Sequence, residues 1–259
     1  MADLKVLVLV KQTFNTEARI QLTSDGAIDD KGIKLICNPY DEFAIEEAIQ
    51  MKERGDASHV RLLTVGPDRA VEALRQGLAM GADEAVRVWD DSLAEADGAV
   101  IAAALAAAIK KYEWDLLLCG KIAVDDQSFE VPGRLAVLLG TPVINAAAKI
   151  ELVDGNVKVT RDTDAGTETL VTQPPAMVTT EKGLNEPRYP PLPKIMKAKK
   201  KPIEDLTLAD LGGDLAKQMV GITGNELPPE RTGATMIKGS PPEQVAELVR
   251  LLREEAKVL

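Results

Sequence analysis

The sequence predicts an α/β protein whose parallel sheet is covered by helices on both faces. Three observations carry this prediction. Short continuous apolar runs alternate with helical patterns over the first 140 residues, a β-rich stretch with glycine turns follows, and an amphipathic helix ends the chain. Strands that are buried on both faces are apolar throughout, because each face packs against a helix. The alternating part therefore predicts the parallel sheet.

The pattern also places the strands and helices of this part. The predicted strands are 4–10, 59–66, 84–89 and 114–120, and the predicted helices are 40–55, 67–81, 93–112 and 129–140. In the first helix, Phe43, Ile45, Ala48 and Ile49 form an apolar stripe at helical spacing. Gly55 suits the end of that helix, because glycine adopts the left-handed conformation without strain.

After residue 140 the sequence favours antiparallel strands. The pairs Asp154-Gly155 and Ala165-Gly166 lie between β-rich segments and are typical of tight turns. Because each turn reverses the chain between two strand-like runs, they predict a hairpin or meander added to the sheet.

Residues 183–202 differ in composition from the chain around them. Four prolines are followed by five lysines, in a protein of formal net charge -10. Because proline lacks an N–H and fixes its backbone angle, we expect a stiff loop here rather than a helix. The lysines are Lys194, Lys197, Lys199, Lys200 and Lys201. Two interpretations stay open for them: solvated side chains, or a patch that steers one acidic surface.

The C-terminal region is predicted to be an arm. A polar stretch rich in Gly and Pro runs to about residue 240, and the final helix places Val245, Leu248, Val249 and Leu252 on one face. This face either docks on another molecule or packs on its own domain. We therefore divide the chain into an α/β domain, 1–203, and an arm, 204–259.

Composition excludes several classes of function. An acidic protein lacks the basic face that broad nucleic-acid binding needs. Cys37 and Cys119 are too few for a metal cluster and are expected to be reduced structural thiols. His59 is the single histidine, so a histidine-based triad or a zinc site is not expected. Residues 1–10 fit a buried first strand better than a targeting segment, which favours a cytoplasmic location.

A ligand is expected at the carboxyl ends of the predicted strands. In open α/β sheets, ligands bind beyond these ends, where strand order reverses. Four stretches would meet there: Val10-Lys11, Asn38 to Asp41, Val65-Gly66 and Gly120 to Gly133. The last is long for a strand-to-helix connection, and its backbone N–H groups could bind a phosphate at the helix start. Neither G-x-G-x-x-G nor a P-loop is present, and the adjacent Asp125 and Asp126 fit a helix cap as well as a binding loop.

Several longer motifs resemble one known family. The motifs are VLVLVKQ (6–12), NPYDEFAIEEA, LAMGADEAVRV, GKIAVDD, VTRDTDAGTETLVTQPPAMVT (159–179) and LNEPRYPPLPKIMKAKKKPIE (184–204). Together they resemble the beta subunit of electron transfer flavoprotein over nearly the whole chain. The resemblance implies a three-layer α/β/α domain, Rossmann-like and similar to adenine nucleotide alpha hydrolases. A β-hairpin extension and a C-terminal helical arm that contacts an alpha subunit complete the implied fold.

The same resemblance implies the cofactors and their residues. FAD would be held mainly by the alpha subunit and covered in part near Tyr40, and the beta subunit would hold AMP or, in electron-bifurcating members, a second FAD. The implied cofactor-binding residues are Leu9, Asn38, Pro39, Tyr40, Asp41, Val65, Gly120, Lys121, Ile122, Ala123, Val124, Asp125, Asp126, Gln127, Ser128, Phe129, Glu130 and Val131. No catalytic residue and no metal ligand are implied.

The resemblance also implies a partner-recognition loop within 183–202. In the family, an apolar anchor on this loop inserts into a hydrophobic pocket of the partner dehydrogenase, and Leu184 is the expected anchor here. The implied recognition residues are Leu184, Asn185, Glu186, Pro187, Arg188 and Tyr189. The neighbouring lysines then gain a third interpretation, packing against the alpha subunit.

This chain departs from the family pattern in the loop 125–133. Its sequence DDQSFEVPG shares Asp125-Asp126 with members that bind AMP and Val131 with bifurcating members, while Phe129 and Pro132-Gly133 match neither group. A milder departure is Ala165, at a turn where the family pattern differs. The nucleotide of the beta pocket is therefore left open between AMP and a second FAD.

The implied function is that of an electron carrier subunit rather than an enzyme on its own. Electrons would pass from dehydrogenases, such as the acyl-CoA dehydrogenases of fatty acid beta-oxidation, to a membrane quinone oxidoreductase. The first alternative is the beta subunit of an electron-bifurcating flavoprotein. An alternative of another class is a stand-alone nucleotide-binding signalling domain of related fold.

Overall fold

A computed structural model describes residues 3–212, 215, 217–229 and 233–259. The strands are β1 (Leu4–Leu9), β2 (Gln12–Phe14), β3 (Gln21–Leu22), β4 (Ile28–Asp29), β5 (Leu35–Cys37), β6 (Ala57–Val65), β7 (Glu84–Val88), β8 (Leu116–Gly120), β9 (Val143–Ala147), β10 (Lys149–Val153), β11 (Asn156–Thr163), β12 (Gly166–Thr172), β13 (Ala176–Thr180) and β14 (Glu204–Leu206). The helices are α1 (Pro39–Arg54), α2 (Val71–Met80), α3 (Gly98–Ile109), α4 (Glu130–Leu139), α5 (Leu192–Lys200) and α6 (Pro241–Arg250).

Seven strands form one parallel sheet in the order β14-β7-β6-β1-β8-β13-β9. The first strand lies in the middle, paired with β6 on one side and β8 on the other. Side chains of β1 alternate between the two faces, so that Val6 and Val8 join one core cluster and Leu7 and Leu9 the other. Both faces are buried, which is why the strand is apolar throughout.

Helices cover both faces of this sheet. Ile45 of α1 and Leu74 of α2 pack into the cluster that contains Val8, while Leu105 of α3 and Leu135 of α4 pack into the other cluster. The result is a three-layer α/β/α arrangement, which confirms the predicted fold class. The four strands and four helices predicted in the first 140 residues are all present.

The third helix starts later than the sequence predicted. The expected span began at residue 93, but a short 3-10 turn, Asp91–Leu93, comes first and α3 begins at Gly98. Asp97 sets this start, because its side chain accepts from the amides of Ala99 and Val100 at 3.1 and 3.0 Å. An aspartate at this position satisfies N–H groups that the helix itself leaves free.

The β-rich region divides into two parts. As predicted, a meander turns at Asp154-Gly155 and at Ala165-Gly166, but β10, β11 and β12 form a separate antiparallel sheet rather than extending the main one. The strand that follows, β13, enters the main sheet between β8 and β9. All of its residues are buried, which is the expected state of a strand with two parallel neighbours and helices on both faces.

The segment 183–202 is a loop only as far as Pro191. The expectation of a loop throughout was wrong, because α5 begins at Leu192 with Pro193 in its first turn. Proline is tolerated there, since the N–H it lacks has no partner within the helix. Ala198 packs into the core, and Arg75 of α2 donates to the Ala198 carbonyl at 2.6 Å.

The main sheet extends past the predicted domain boundary at residue 203. β14 pairs with β7 at the edge of the sheet, so residues 204–206 belong to the α/β domain rather than to the arm. Beyond Gly212, the described part of the arm is largely exposed, and Val245, Leu248 and Val249 form an exposed apolar face on α6. Within the described ranges, no helix combines the length and the apolar sequence that crossing a bilayer requires.

Candidate functional site

The structure brings the four predicted stretches to one edge of the sheet. β6, β1 and β8 are neighbours and run parallel, so their ends at Val65, Leu9 and Gly120 lie side by side. The chain then enters α1 at Pro39 and α4 at Glu130. We call this region the carboxyl edge. Leu9, Val65 and Gly120 end strands, Asn38 to Asp41 start α1, Lys121 to Phe129 form a loop, and Glu130 and Val131 open α4.

Asp41 is the buried centre of the carboxyl edge. Asp41 is 5% exposed, and its two oxygens accept from the connection after β1 and from the last residue of β8. Oδ2 accepts from the backbone N–H of Lys11 at 2.8 Å, and Oδ1 accepts from that of Gly120 at 2.8 Å. Charged carboxylates are rarely buried without such partners. Asp41 therefore joins α1 to the ends of two strands, and both of its oxygens are already engaged by the protein.

Asn38 holds the loop 121–129 by side-chain hydrogen bonds to its backbone, as Asp41 does for the strand ends. Its side chain is almost fully buried; Nδ2 donates to the carbonyl of Ile122 at 2.9 Å, and Oδ1 accepts from the amide of Val124 at 3.2 Å. Its backbone amide donates to the carbonyl of Lys11 at 2.8 Å. The sequence predicted Asn38 and Asp41 as binding residues, but the structure uses their side chains to hold the backbone of the site.

Gly120 is required by this packing. A Cβ at this position would lie 2.6 Å from Oδ1 of Asp41 and 2.6 Å from Cβ of Tyr40, closer than real Cβ contacts. Thr180 closes the other side, since its hydroxyl donates to the carbonyls of Tyr40 and Cys119 at 2.8 and 3.2 Å. Tyr40 is therefore fixed between the ends of β8 and β13.

The loop 121–129 is acidic and tightly turned. Lys11 Nζ lies 2.8 Å from both Asp125 Oδ1 and Asp126 Oδ2. Partial burial alone would lower the pKa of Lys11, but these two carboxylates outweigh it and raise that pKa. Gln127 and Phe129 adopt positive φ angles of 50° and 58°, a conformation that costs free energy in residues other than glycine.

The start of α4 offers a mixed environment to an anion. The first-turn N–H groups of a helix have no partners within the helix, so the amides of Glu130, Val131 and Gly133 can point toward a phosphate. Pro132 supplies no N–H. The Glu130 carboxylate accepts from Arg134 Nε at 2.8 Å. The free amides favour an anion, whereas the carboxylates of Glu130, Asp125 and Asp126 oppose one, and Lys11 offsets the last two only in part.

A second lysine lies beside Tyr40. Lys121 Nζ is 5.7 Å from the centre of the Tyr40 ring and forms an ion pair with Glu181. A lysine ammonium within about 6 Å of an aromatic ring centre is attracted to the electrons of the ring face. This arrangement places an ion pair next to the aromatic side chain that the family resemblance links to a flavin.

Residues 184–188, which follow β13, lie on α1. Leu184 is half-buried and packs against the protein's own core. Asn185 Nδ2 donates to the carbonyl of Phe43 at 3.0 Å, and Arg188 contacts Glu46 of α1. The next residue, Tyr189, is 96% exposed. Glu186 is exposed and Pro187 half-buried.

The five lysines between residues 194 and 201 fall into two groups according to their exposure. Lys201 is partly buried, and its Nζ donates to the carbonyl of Ala82 at 2.7 Å, so it attaches α5 to the loop after α2. The others are exposed: Lys194, Lys197, Lys199 and Lys200.

Sequence reasoning missed part of the carboxyl edge. The Thr180 hydroxyl and the Glu181 carboxylate were not among the expected site residues. Lys11 was expected at this edge, because it directly follows an apolar strand, but its ion pairs with Asp125 and Asp126 were not predicted. Thr180 and Glu181 end β13, whose place in the main sheet the sequence did not indicate, so no local pattern pointed to them.

The fold and the carboxyl edge together define a class of protein. The fold is a parallel α/β domain, the class in which ligands bind beyond the carboxyl ends of the strands, and here those ends carry amide donors, two lysines and a fixed tyrosine. Among the described residues, no group of three or more His, Cys, Asp and Glu side chains could hold a metal ion.

Comparison with known proteins then identifies the family. The profile described as the electron transfer flavoprotein domain matches residues 25–211. A Bacillus subtilis (strain 168) protein named electron transfer flavoprotein subunit beta is 44% identical over 259 residues, which cover 99% of this chain and 100% of that relative. Proteins of the same name from Syntrophomonas wolfei and Mus musculus are 42% and 38% identical, covering 99% and 100% of this chain and 98% and 100% of their own lengths. The chain belongs to the electron transfer flavoprotein beta-subunit family, and its role lies in electron transfer.

The buried carboxyl group of Asp41 should be visible in the pH dependence of stability. Burial raises the pKa of Asp41 to about 6, although hydrogen bonds from Lys11 and Gly120 oppose the rise. The folded state therefore binds this proton more tightly than the unfolded state, and titration of Asp41 lowers the free energy of unfolding as pH rises from about 4 to 6. A difference of about 2 in pKa corresponds to about 3 kcal/mol.

We predict that Asp41→Asn removes this contribution. Urea unfolding at pH 4 to 7 should show wild type losing up to about 3 kcal/mol relative to the variant as pH rises. Asn keeps one acceptor only, so the variant should also be less stable at pH 4. Parallel pH profiles for the two proteins would contradict the buried, titrating carboxyl group.

Proposed function

We propose that this chain pairs with an alpha subunit to form a single-flavin electron carrier that shuttles electrons from dehydrogenases to a membrane quinone oxidoreductase. The observation that carries the proposal is the full-length identity of 44% to a protein named as the beta subunit of an electron transfer flavoprotein. FAD, held mainly by the alpha subunit, supplies the redox chemistry when bound. Acyl-CoA dehydrogenases of fatty acid beta-oxidation are the proposed donors.

The contribution of this chain is to bind and orient. Thr180 and the close packing of Gly120 fix the backbone of Tyr40, so that its ring forms a rigid surface near the proposed flavin. The ammonium of Lys121, paired with the Glu181 carboxylate, lies beside that ring.

The arm is proposed to hold the alpha subunit. Its final helix exposes Val245, Leu248 and Val249 on one side. An amphipathic helix gains stability by burying such a face in a hydrophobic groove. The distance in sequence between α6 and the α/β domain allows it to reach a partner.

AMP is the proposed nucleotide of the beta pocket. The amides at the start of α4 and the Lys11 ammonium would hold its phosphate. The loop that Asn38 fixes would enclose the remainder of the nucleotide. A second FAD, the alternative that Val131 suggested, would use the same amides for its pyrophosphate.

Nucleotide content decides between these two states. We predict that the purified heterodimer, denatured and analysed by chromatography, releases one FAD and one AMP for each pair of subunits. Two FAD and no AMP would replace this proposal with the electron-bifurcating alternative. One FAD without AMP would show that the acidic loop binds no nucleotide.

The surface proposed to meet dehydrogenases is the docking segment, residues 189–196. Tyr189, Leu192 and Met196 are 96%, 69% and 52% exposed. Leu192 and Met196 are four residues apart and share a face of α5, while Ile195 faces the core. Exposed lysines around these apolar residues favour a partner whose apolar pocket is rimmed by carboxylates.

Within this segment we propose Leu192, rather than Leu184, as the anchor. An anchor must be exposed before it can enter a partner's pocket, and Leu184 is already half-buried against its own core. Leu192 is free to insert and lies at the rigid start of α5.

We predict that Leu192→Ala raises the KM of the dehydrogenase for the carrier by about tenfold or more, as expected for loss of a buried anchor. Leu184→Ala is the matched control and should mainly lower the melting temperature, because it removes core packing. Flavin absorbance should stay unchanged in both. A larger KM effect from Leu184→Ala at equal stability would return the anchor to Leu184.

A further inference from the structure

Arg188 lies between two carboxylates of α1, directly before the docking segment. Its Nε and Nη2 donate to Glu46 at 2.9 and 2.8 Å, and its Nη1 and Nη2 donate to Glu53 at 2.5 and 2.9 Å. Its backbone N–H also donates to Glu46 Oε2 at 3.2 Å. The planar guanidinium can serve two carboxylates at once, which a lysine ammonium cannot do with the same geometry.

The two carboxylates differ in burial, and this difference shows which of the two ion pairs is more costly to break. The side chain of Glu46 is 3% exposed, whereas that of Glu53 is 57% exposed. Separating Arg188 from Glu46 would leave a buried charge without its partner, which is strongly unfavourable. Losing an exposed pair such as Arg188–Glu53 changes little, since water and salt already screen it.

The pKa of Glu46 is consistent with a permanent pair. Burial alone would raise the pKa of Glu46, but hydrogen bonds from Arg188 and Gln50 outweigh it and hold the pKa below its usual value. The pKa of Glu53 is also lowered, first by its hydrogen bond from Arg188. Both groups are therefore ionised at neutral pH.

A second attachment lies three residues earlier. Asn185 Nδ2 donates to the carbonyl of Phe43 and, at 3.3 Å, to Glu47 Oε2, while Leu184 packs on the core. The stretch 184–188 is thus fixed to α1 at several points. Exposure changes abruptly at the next residue, since Arg188 is about one-quarter exposed and Tyr189 is 96% exposed.

We propose that Arg188 is the positioning residue of the docking segment. By bridging Glu46 and Glu53, it fixes the point at which the chain leaves α1, and so it holds Tyr189 and Leu192 in the orientation that a partner meets. Arg188 does not need to touch the partner. Because Arg188 already orders the loop in the free protein, association with the partner does not carry the entropy cost of ordering it. The inference rests on the proposed function of residues 189–196 as the docking surface.

The test compares three variants of the intact heterodimer. Arg188→Gln removes the charge and leaves Glu46 without its partner, Arg188→Lys keeps the charge but loses the two-carboxylate geometry, and Glu53→Gln removes the exposed carboxylate only. Flavin absorbance and FAD content should be unchanged in all three, because Arg188, Glu46 and Glu53 are not part of the carboxyl edge. These two readings establish that the assembled carrier is intact.

Hydrogen–deuterium exchange reports whether Arg188 holds the loop. Peptides covering residues 183–191 should exchange about tenfold faster in Arg188→Gln, to an intermediate degree in Arg188→Lys, and at the wild-type rate in Glu53→Gln.

Steady-state kinetics with an acyl-CoA dehydrogenase report whether the position of the docking segment affects recognition by the dehydrogenase. The KM for the carrier should rise about tenfold in Arg188→Gln and partly recover in Arg188→Lys, with kcat unchanged.

Unchanged exchange in Arg188→Gln would overturn the proposal, since the loop would then be held by other contacts. Faster exchange with an unchanged KM would also overturn it, because the position of the docking segment would then not affect recognition by the dehydrogenase. An equal effect of Glu53→Gln and Arg188→Gln would contradict the assignment of the main contact to buried Glu46. If no dehydrogenase reduces even the wild-type carrier, the proposed electron donors fail, while the exchange rates still decide whether Arg188 fixes the segment.

Discussion

One buried carboxylate organises the carboxyl edge of this protein. Asp41 lies in the first turn of α1 and accepts backbone N–H groups from the ends of β1 and β8. The position favours a negative charge, because the N-terminus of a helix carries the positive end of its dipole. The contact requires glycine at position 120 and places Tyr40 against the strand ends. The start of the helix, the ends of two strands and the aromatic side chain are thus fixed by a single group.

The same helix serves two surfaces at different points along its length. At its start, Asn38, Tyr40 and Asp41 build the carboxyl edge; further along, Glu46 and Glu53 hold the segment before α5. A rigid helix of 16 residues is about 24 Å long, so the two surfaces keep a fixed separation. Rigid spacing suits the proposed carrier function, in which the chain would present a cofactor edge and a docking surface at the same time.

Periodicity predicted the layered fold because burial on both faces of a parallel sheet leaves a direct mark in the sequence. It predicted strands ending at residues 10, 66 and 120, within one residue of the ends at Leu9, Val65 and Gly120, and topology then brought these ends together. It could not separate a binding carboxylate from a structural one, because Asp41 and Asp125 are the same residue type at the same edge. Burial distinguishes them: Asp41 is buried with both oxygens engaged, whereas Asp125 is exposed. The exposure of Leu192 and the partial burial of Leu184 are likewise set by tertiary packing, which no local pattern records.

Native-state hydrogen exchange at the amides of Lys11 and Gly120 tests the central role of Asp41 most directly. Because both amides donate to a buried carboxylate, they should exchange as slowly as amides within β1 and β8, with opening free energies near that of global unfolding. The amides of Asp125 to Ser128, in the exposed loop, provide the fast reference. Exchange of Lys11 and Gly120 at the rate of that loop would show that Asp41 does not hold the strand ends, and the account of the carboxyl edge would be wrong.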